Sequence, residues 1–174
     1  WHKDLDSGNS DAGDWMRLDT NDQKGYSGGT DGTSWDYFGG GISTTNIQVT
    51  NSSPVNASGS TYICYAWKAV AGVSAFGTYS NQITSDPSSS DPYYCGFKPR
   101  LVIGKRTNGN NNWWMFDRFR ESGDALTQVI KPDDPDAEFT SSNWTLTTTT
   151  NGFTTGNIHA IGESGGQYIF AAFA

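Results

Sequence analysis

Two similar segments place the strongest constraint on the fold of this chain. Residues 58–67 read Ser-Gly-Ser-Thr-Tyr-Ile-Cys-Tyr-Ala-Trp, and residues 164–173 read Ser-Gly-Gly-Gln-Tyr-Ile-Phe-Ala-Ala-Phe. Each is a Ser-Gly turn followed by a run of aromatic, β-branched and small residues without proline. That pattern is typical of a strand buried on both faces. The similarity indicates an internal repeat, with chance likeness between two short apolar runs as the alternative.

The repeat predicts an all-β fold, namely an antiparallel β-sandwich of jelly-roll-like complexity with little or no helix. We expect a single domain over residues 1–174, built from half-repeats of about 1–80 and 93–174 joined by a loop at about 81–92. The 21 glycines and an aromatic content of 14% fit a fold with many tight turns. Each half contributes a central strand, and the predicted core comprises Tyr62, Ile63, Trp67, Tyr168, Ile169 and Phe173.

The charge and hydropathy of the chain exclude two classes of partner. A net charge of −7 disfavours binding to a phosphate backbone, so nucleic acid is not an expected partner. No apolar run is long enough to span a bilayer, and no signal peptide is recognisable, so no membrane partner is expected. Because the chain begins at Trp1 rather than Met, we expect it to be a processed product, an excised domain or the ordered part of a longer polypeptide.

The two cysteines are too few for a disulfide scaffold. Cys64 and Cys95 both lie in apolar, strand-like stretches, which favours buried free thiols over a bridge between them. Neither belongs to a CxxC or Cys/His pattern of the kind that binds zinc.

Acidic residues offer one candidate for a metal site, and no cofactor is otherwise expected. Asp133, Asp134, Asp136 and Glu138 follow one another closely in a proline-bounded loop, and several oxygens at close range suit Ca²⁺. The spacing differs from that of an EF-hand, so a solvated acidic loop is the competing interpretation. A second acidic group consists of Asp11, Asp14, Asp19 and Asp22.

The sequence contains no recognisable catalytic constellation. His2 and His159 are the only histidines, and neither has the spacing of a metal or catalytic motif. The stretch Gly162-Glu163-Ser164-Gly165-Gly166 fits GxSxG in letters only, because a predicted strand follows it and not the helix that a nucleophile elbow requires. Paired carboxylates for sugar cleavage remain open, because many acidic residues are present, but we predict that the chain is not an enzyme.

Aromatic residues beside the glycine-rich loops are the candidates for binding. Their rings offer faces for sugars while neighbouring Asp and Asn side chains take hydroxyl groups. The competing interpretation is that the rings cap the core or pack a subunit interface. The glycan-binding candidates are Tyr26, Trp35, Tyr37 and Phe38.

Several motifs in the second half resemble a known family. They are Gly96-Phe97-Lys98-Pro99, Leu101-Val102-Ile103, Lys105-Arg106-Thr107, Trp113 to Asp117, Asn151-Gly152-Phe153 and Tyr168 to Ala174. In this order they resemble β-rich modules in tail or fibre proteins of tailed phages, particularly phages of marine bacteria and cyanobacteria. The likeness covers nearly the whole chain. The motifs carry no chemistry, so no catalytic residue is implied.

The resemblance implies a non-enzymatic structural module of an extracellular virion. Its place would be a tail fibre or appendage, with other virion subunits as partners and binding to a bacterial surface glycan as a further role. A homo-oligomer, specifically a trimer, is implied by the analogy with fibres. The alternatives are a carbohydrate-binding module and a capsid decoration protein. The first half lacks the strand that precedes Trp114 in the second, so we expect a longer parent chain or a strand from a neighbouring subunit.

Overall fold

A computed structural model describes residues 14–25, 45–50, 53–80, 93–156 and 161–174. The chain divides into two compact units. The described residues of the first unit are 14–16, 24–25, 45–50 and 53–67, and those of the second are 17–23, 68–80, 93–156 and 161–174. The single domain over residues 1–174 stays a prediction.

The first unit contains little regular structure in its described part. One short helix, α1, spans Ser53–Asn56. Trp15 and Gly25 form an isolated antiparallel bridge, and beside it Lys24 donates a hydrogen bond to Asp14 at 2.8 Å. Among the helices of the described residues, none has the length and apolar character needed to cross a membrane.

The second unit contains the described strands, and it confirms the predicted all-β sandwich. One antiparallel sheet has the order β1-β10-β3-β4, a second has the order β2-β9-β8-β5, and β6 pairs with β7. The strands are β1 Ser74–Ser80, β2 Tyr93–Tyr94, β3 Leu101–Arg106, β4 Trp114–Asp117, β5 Ala125–Leu126, β6 Gln128–Val129, β7 Phe139–Thr140, β8 Leu146–Thr149, β9 Gly152–Thr155 and β10 Gln167–Phe173.

Alternate side chains of the strands form a single apolar core. In β10, Tyr168, Phe170 and Ala172 point to this core because successive side chains of a strand face opposite ways. The second sheet contributes Leu146 and Phe153. Burial of large aromatic side chains supplies much of the stability of such a core.

The core predictions hold for one of the two similar segments. In β10, Tyr168 and Ile169 are buried and Phe173 is partly buried. The prediction of a buried strand over Tyr62–Trp67 is wrong. Residues 61–69 form neither helix nor strand, and the exposed fractions are 43% for Tyr62, 79% for Ile63 and 66% for Trp67. Two segments of similar composition are therefore buried in one case and exposed in the other.

Gly104 shows why the first sheet needs a residue without a side chain at the centre of β3. It lies across from Trp114 of β4 and Phe170 of β10. A Cβ atom at Gly104 would lie only 2.1 Å from Cζ2 of Trp114. The fully buried indole therefore occupies the space that a larger residue would need.

Candidate functional site

The predicted glycan-binding aromatics, Tyr26, Trp35, Tyr37 and Phe38, lie outside the described residues. The same holds for His2, His159 and Asp11. Glycan binding through those four rings therefore stays a prediction.

The acidic loop is fastened to the protein by its carboxylates. Asp133 accepts a hydrogen bond from the backbone N–H of Trp113 at 2.9 Å. Asp134 accepts one from the backbone N–H of Asp136 at 3.0 Å and also contacts Lys131. Because these bonds stabilise the charged carboxylate, the pKa of Asp134 is held below its ordinary value.

The same loop was the predicted calcium site. Glu138, its fourth acidic residue, forms an ion pair with Arg120. Within the described ranges, no group of three or more His, Cys, Asp or Glu side chains is arranged to hold a metal ion. The calcium prediction therefore gains no support, and the geometry shows carboxylates that bind N–H groups and cations of the protein.

The described residues of the second acidic group belong to different units, as do the two cysteines. Asp14 pairs with Lys24 in the first unit, whereas Asp19 and Asp22 belong to the second. Neither cysteine forms a disulfide. Burial raises the pKa of the Cys95 thiol to about 11, but Cys64 is exposed, so the prediction that both thiols are buried is wrong for Cys64.

The most exposed of the large apolar side chains in the described part of the first unit lie close together in the sequence. Ile63, Tyr65 and Trp67 are exposed by 79%, 73% and 66%, and we call these three residues the apolar strip. The rings of Tyr65 and Trp67 stack with centroids 6.2 Å apart. Grouped exposed aromatics are typical of surfaces that contact another molecule.

A buried lysine lies on the other face of the first sheet in the second unit. Lys105 of β3 is opposite Ile169 of β10, on the face away from the core. Its side chain is fully buried, and its Nζ donates hydrogen bonds to the backbone carbonyls of Asn21, at 3.1 Å, and Asn111. The segment 17–23 is thereby attached to the sheet.

A second hydrogen bond attaches the same segment. The indole Nε1 of Trp113 donates to the backbone carbonyl of Arg17 at 2.7 Å. Lys105 and Trp113 together hold the backbone of this segment at Asn21 and Arg17, which precede them by more than eighty residues in the sequence. Buried polar groups of this kind are stable only when their hydrogen bonds are made.

The electrostatic environment of Lys105 has two opposing parts. Burial lowers the pKa of its ammonium group from 10.5 to about 8, because a charge is costly to remove from water. The carboxylates of Asp133 and Asp22 act in the other direction and raise it. Asp133 of the acidic loop therefore favours the charged form of Lys105.

A family described as Domain of unknown function (DUF7483) matches residues 1–174. The chain belongs to this family. Neither the curated proteins nor the solved structures contain a match to it. The description of DUF7483 names no activity.

Lys105 was not among the residues of this DUF7483 chain that we predicted to be functional. Lys105 follows the run Leu101-Val102-Ile103-Gly104 without a break, and that position in a strand was the available signal. Its partners Asn21 and Asn111 lie in polar, loop-like sequence that resembles ordinary surface. No local sequence pattern indicates that the loops of Asn21 and Asn111 bind a lysine of the sheet.

Proposed function

We propose that this chain is a non-enzymatic structural module of a phage virion, located in a tail fibre or related appendage. The resemblance of its motifs to tail and fibre modules supports this function. The apolar strip carries the proposal on the structural side. Tyr65 and Trp67 expose side chains of the types that are enriched in subunit interfaces, and Ile63 exposes a further apolar side chain beside them in the sequence.

The side chains of the apolar strip are large enough for their burial to favour association. Burying one large apolar side chain stabilises an assembly by about 1.5–3 kcal/mol. Three such side chains close together therefore favour association with another virion subunit. Single exposed apolar residues need no explanation, but a stacked pair with a neighbouring isoleucine is a larger feature.

The ionisable side chains of the second unit also support a structural role. Glu121 accepts hydrogen bonds from the backbone N–H groups of Thr127 and Gln128, at 2.7 and 2.8 Å for its Oε2. Asp124 binds Lys98 at 2.6 Å and Arg118 at 3.0 Å. These carboxylates hold loops against strands, which suits a module that must keep its shape in a particle.

Mass spectrometry of purified particles tests the location. Tails and capsids of the phage that encodes this chain are separated and digested, and peptides of the chain are quantified in each fraction. We expect the peptides in the tail fraction with the stoichiometry of a fibre. Peptides confined to capsids would favour the decoration protein, and their absence from both fractions would overturn the proposal.

Sedimentation analysis tests the role of the apolar strip. We expect the purified chain to form a homo-oligomer, a trimer by analogy with fibres. The double variant Ile63→Ser, Trp67→Ser should dissociate it, whereas the control Tyr94→Ser, which alters an equally exposed aromatic residue elsewhere, should leave it intact. A double variant that associates as strongly as the parent would contradict this role.

A further inference from the structure

A shallow recess lies where the hairpin of β3 and β4 ends. Its volume is about 290 Å³, at the small end of the range for ligand sites. The backbone of the recess is fixed to the sheet. The N–H of Arg100 donates to the carbonyl of Phe173, and the N–H of Arg118 donates to the carbonyl of Arg100, both at 2.8 Å. The recess is lined by Arg100, Arg118, Phe119, Glu121, Ser122 and Gly123.

Arg118 is held in place by neighbouring groups. Its Nε donates to the carbonyl of Gly123 at 3.2 Å, and its Nη2 donates to Asp124 at 3.0 Å. Asp124 also binds the ammonium group of Lys98, so this one carboxylate is shared between two cations. Its negative charge does not fully offset the two positive charges beside it.

Arg100 differs from Arg118 because its guanidinium is free to accept a ligand. It lies over the ring of Phe119, 5.1 Å from the centroid. Within the described part of the chain, no hydrogen bond or ion pair uses its side-chain N–H groups. The ring of Phe119 is itself 79% exposed. A guanidinium above an open aromatic ring presents a planar fork of donors beside an apolar face.

Among the described residues, Glu121 is the one carboxylate that lines the recess. Both of its oxygens accept hydrogen bonds from Thr127, and one also accepts from the N–H of Gln128. These donors stabilise the negative charge of the Glu121 carboxylate, which is bound to Thr127 and to the start of β6. The remaining charged groups of the lining are the two guanidinium groups, in a chain whose net charge is −7.

We propose that this recess binds a carboxylated sugar, namely a uronic acid residue of a bacterial surface polysaccharide. The carboxylate pairs with the donor fork of Arg100, because a guanidinium and a carboxylate match in a bidentate geometry. The sugar ring packs its C–H face against Phe119. This inference rests on the proposed virion function, for which it names the class of receptor. The long-range charge of the chain repels anions, so binding depends on these local donors.

Titration calorimetry with the purified full chain tests the site. The probes are a short oligogalacturonate, the neutral oligogalactose of the same length, and galactose 6-sulfate. We expect the uronate alone to bind, with an affinity that falls as salt is added. Equal binding of the neutral oligomer, equal binding of the sulfate, or no binding of the uronate would overturn the assignment.

Variants locate the binding in the recess. Arg100→Gln should weaken uronate binding by about tenfold or more, since a charge-assisted bidentate contact is lost. Arg100→Lys keeps the charge without the fork and should give a smaller loss. Phe119→Ala should also weaken binding. The control Arg120→Gln removes a cation that pairs with Glu138 outside the recess and should bind normally.

Two outcomes separate this inference from the proposed function. If Arg100→Gln binds as tightly as the parent chain, the recess is not the site, whatever the location of the protein in the particle. Because the titration uses isolated protein, a missing uronate signal leaves the mass spectrometric test of the virion role unaffected. Thermal unfolding of each variant checks that its fold is unchanged.

Discussion

The ring of Tyr79 lies almost parallel to the ring of Tyr168, with centroids 4.6 Å apart and an interplanar angle of 8°. The ring of Tyr93 stacks on the opposite side of Tyr79 at 4.3 Å. The stack joins β1 and β10 of the first sheet to β2 of the second. Tyr79 therefore contributes both to pairing within a sheet and to packing between sheets.

Two substitutions at Tyr79 separate the contributions of its hydroxyl and its ring. The hydroxyl donates to the carbonyl of Ile161 at 2.8 Å. Tyr79→Phe leaves that buried carbonyl without a partner and should lower the free energy of unfolding by about 1–2 kcal/mol. Tyr79→Ala removes the ring as well and should cost about 3–5 kcal/mol. Urea unfolding measures both, and equal losses would contradict the importance of the stack.

Gly104→Ala should destabilise the first sheet by about 1–3 kcal/mol, because the added methyl group overlaps the buried indole of Trp114. The measurement is again urea unfolding. Gly109→Ala is the matched control. There a Cβ meets only the Arg106 side chain, with Nε at 2.9 Å, and this partly exposed side chain lies outside the apolar core, so a loss within about 0.5 kcal/mol is expected. Equal losses at the two glycines would refute this packing.

The lowered pKa of Lys105 predicts an unusual dependence of stability on pH. Because its folded pKa of about 8 lies below the ordinary 10.5, the unfolded chain binds more protons within that window. The lysine's contribution to stability should therefore rise with pH there, by at most about 1.4 kcal/mol per pH unit. Urea unfolding of the parent and of Lys105→Met from about pH 7 to about pH 10 measures the difference.

In that comparison the tyrosine contributions cancel between the two proteins. Burial raises the pKa of Tyr79 and Tyr168, so their ionisation lowers stability at high pH in parent and variant alike. We expect the difference between parent and variant to shift in favour of the parent as pH rises. A difference that stays constant over the window would show that Lys105 is not buried in the way described.

Calcium should leave the melting temperature unchanged, because the carboxylates of the acidic loop are already bound to protein donors. The check is thermal unfolding with millimolar CaCl2 and with a chelator. Asp133→Ala should lower stability in metal-free buffer by about 1–2 kcal/mol, since the N–H of Trp113 loses its acceptor. Asp136→Ala, at a more exposed position with a 3.5 Å contact to Lys131, is the control. Stabilisation by calcium would restore the metal-site prediction.

The sequence was sufficient to predict the sandwich and its second half. Leu101–Arg106 and Gln167–Phe173 are strands because their runs of apolar residues lie between neighbouring strands in one sheet. The same reasoning failed at Tyr62–Trp67. A short apolar run has the same composition whether it is buried in a core or exposed, and no residue within it indicates which of the two applies.

The contacts of Lys105 and Arg100 in the second unit were harder to predict for a related reason. Lys105 meets Asn21 across 84 positions of sequence, and Arg100 meets Phe119 only because β3 and β4 pair. Spacing along the chain gives no sign of either contact. Sequence patterns reveal strands, whereas these contacts depend on which strands and loops become neighbours.

The structural role in a phage virion is tested by a density map of the whole particle. We expect the β-sandwich of the second unit to fit a tail fibre or appendage, with Ile63, Tyr65 and Trp67 covered by a neighbouring subunit. A map of the particle in which no density fits this sandwich would contradict that role.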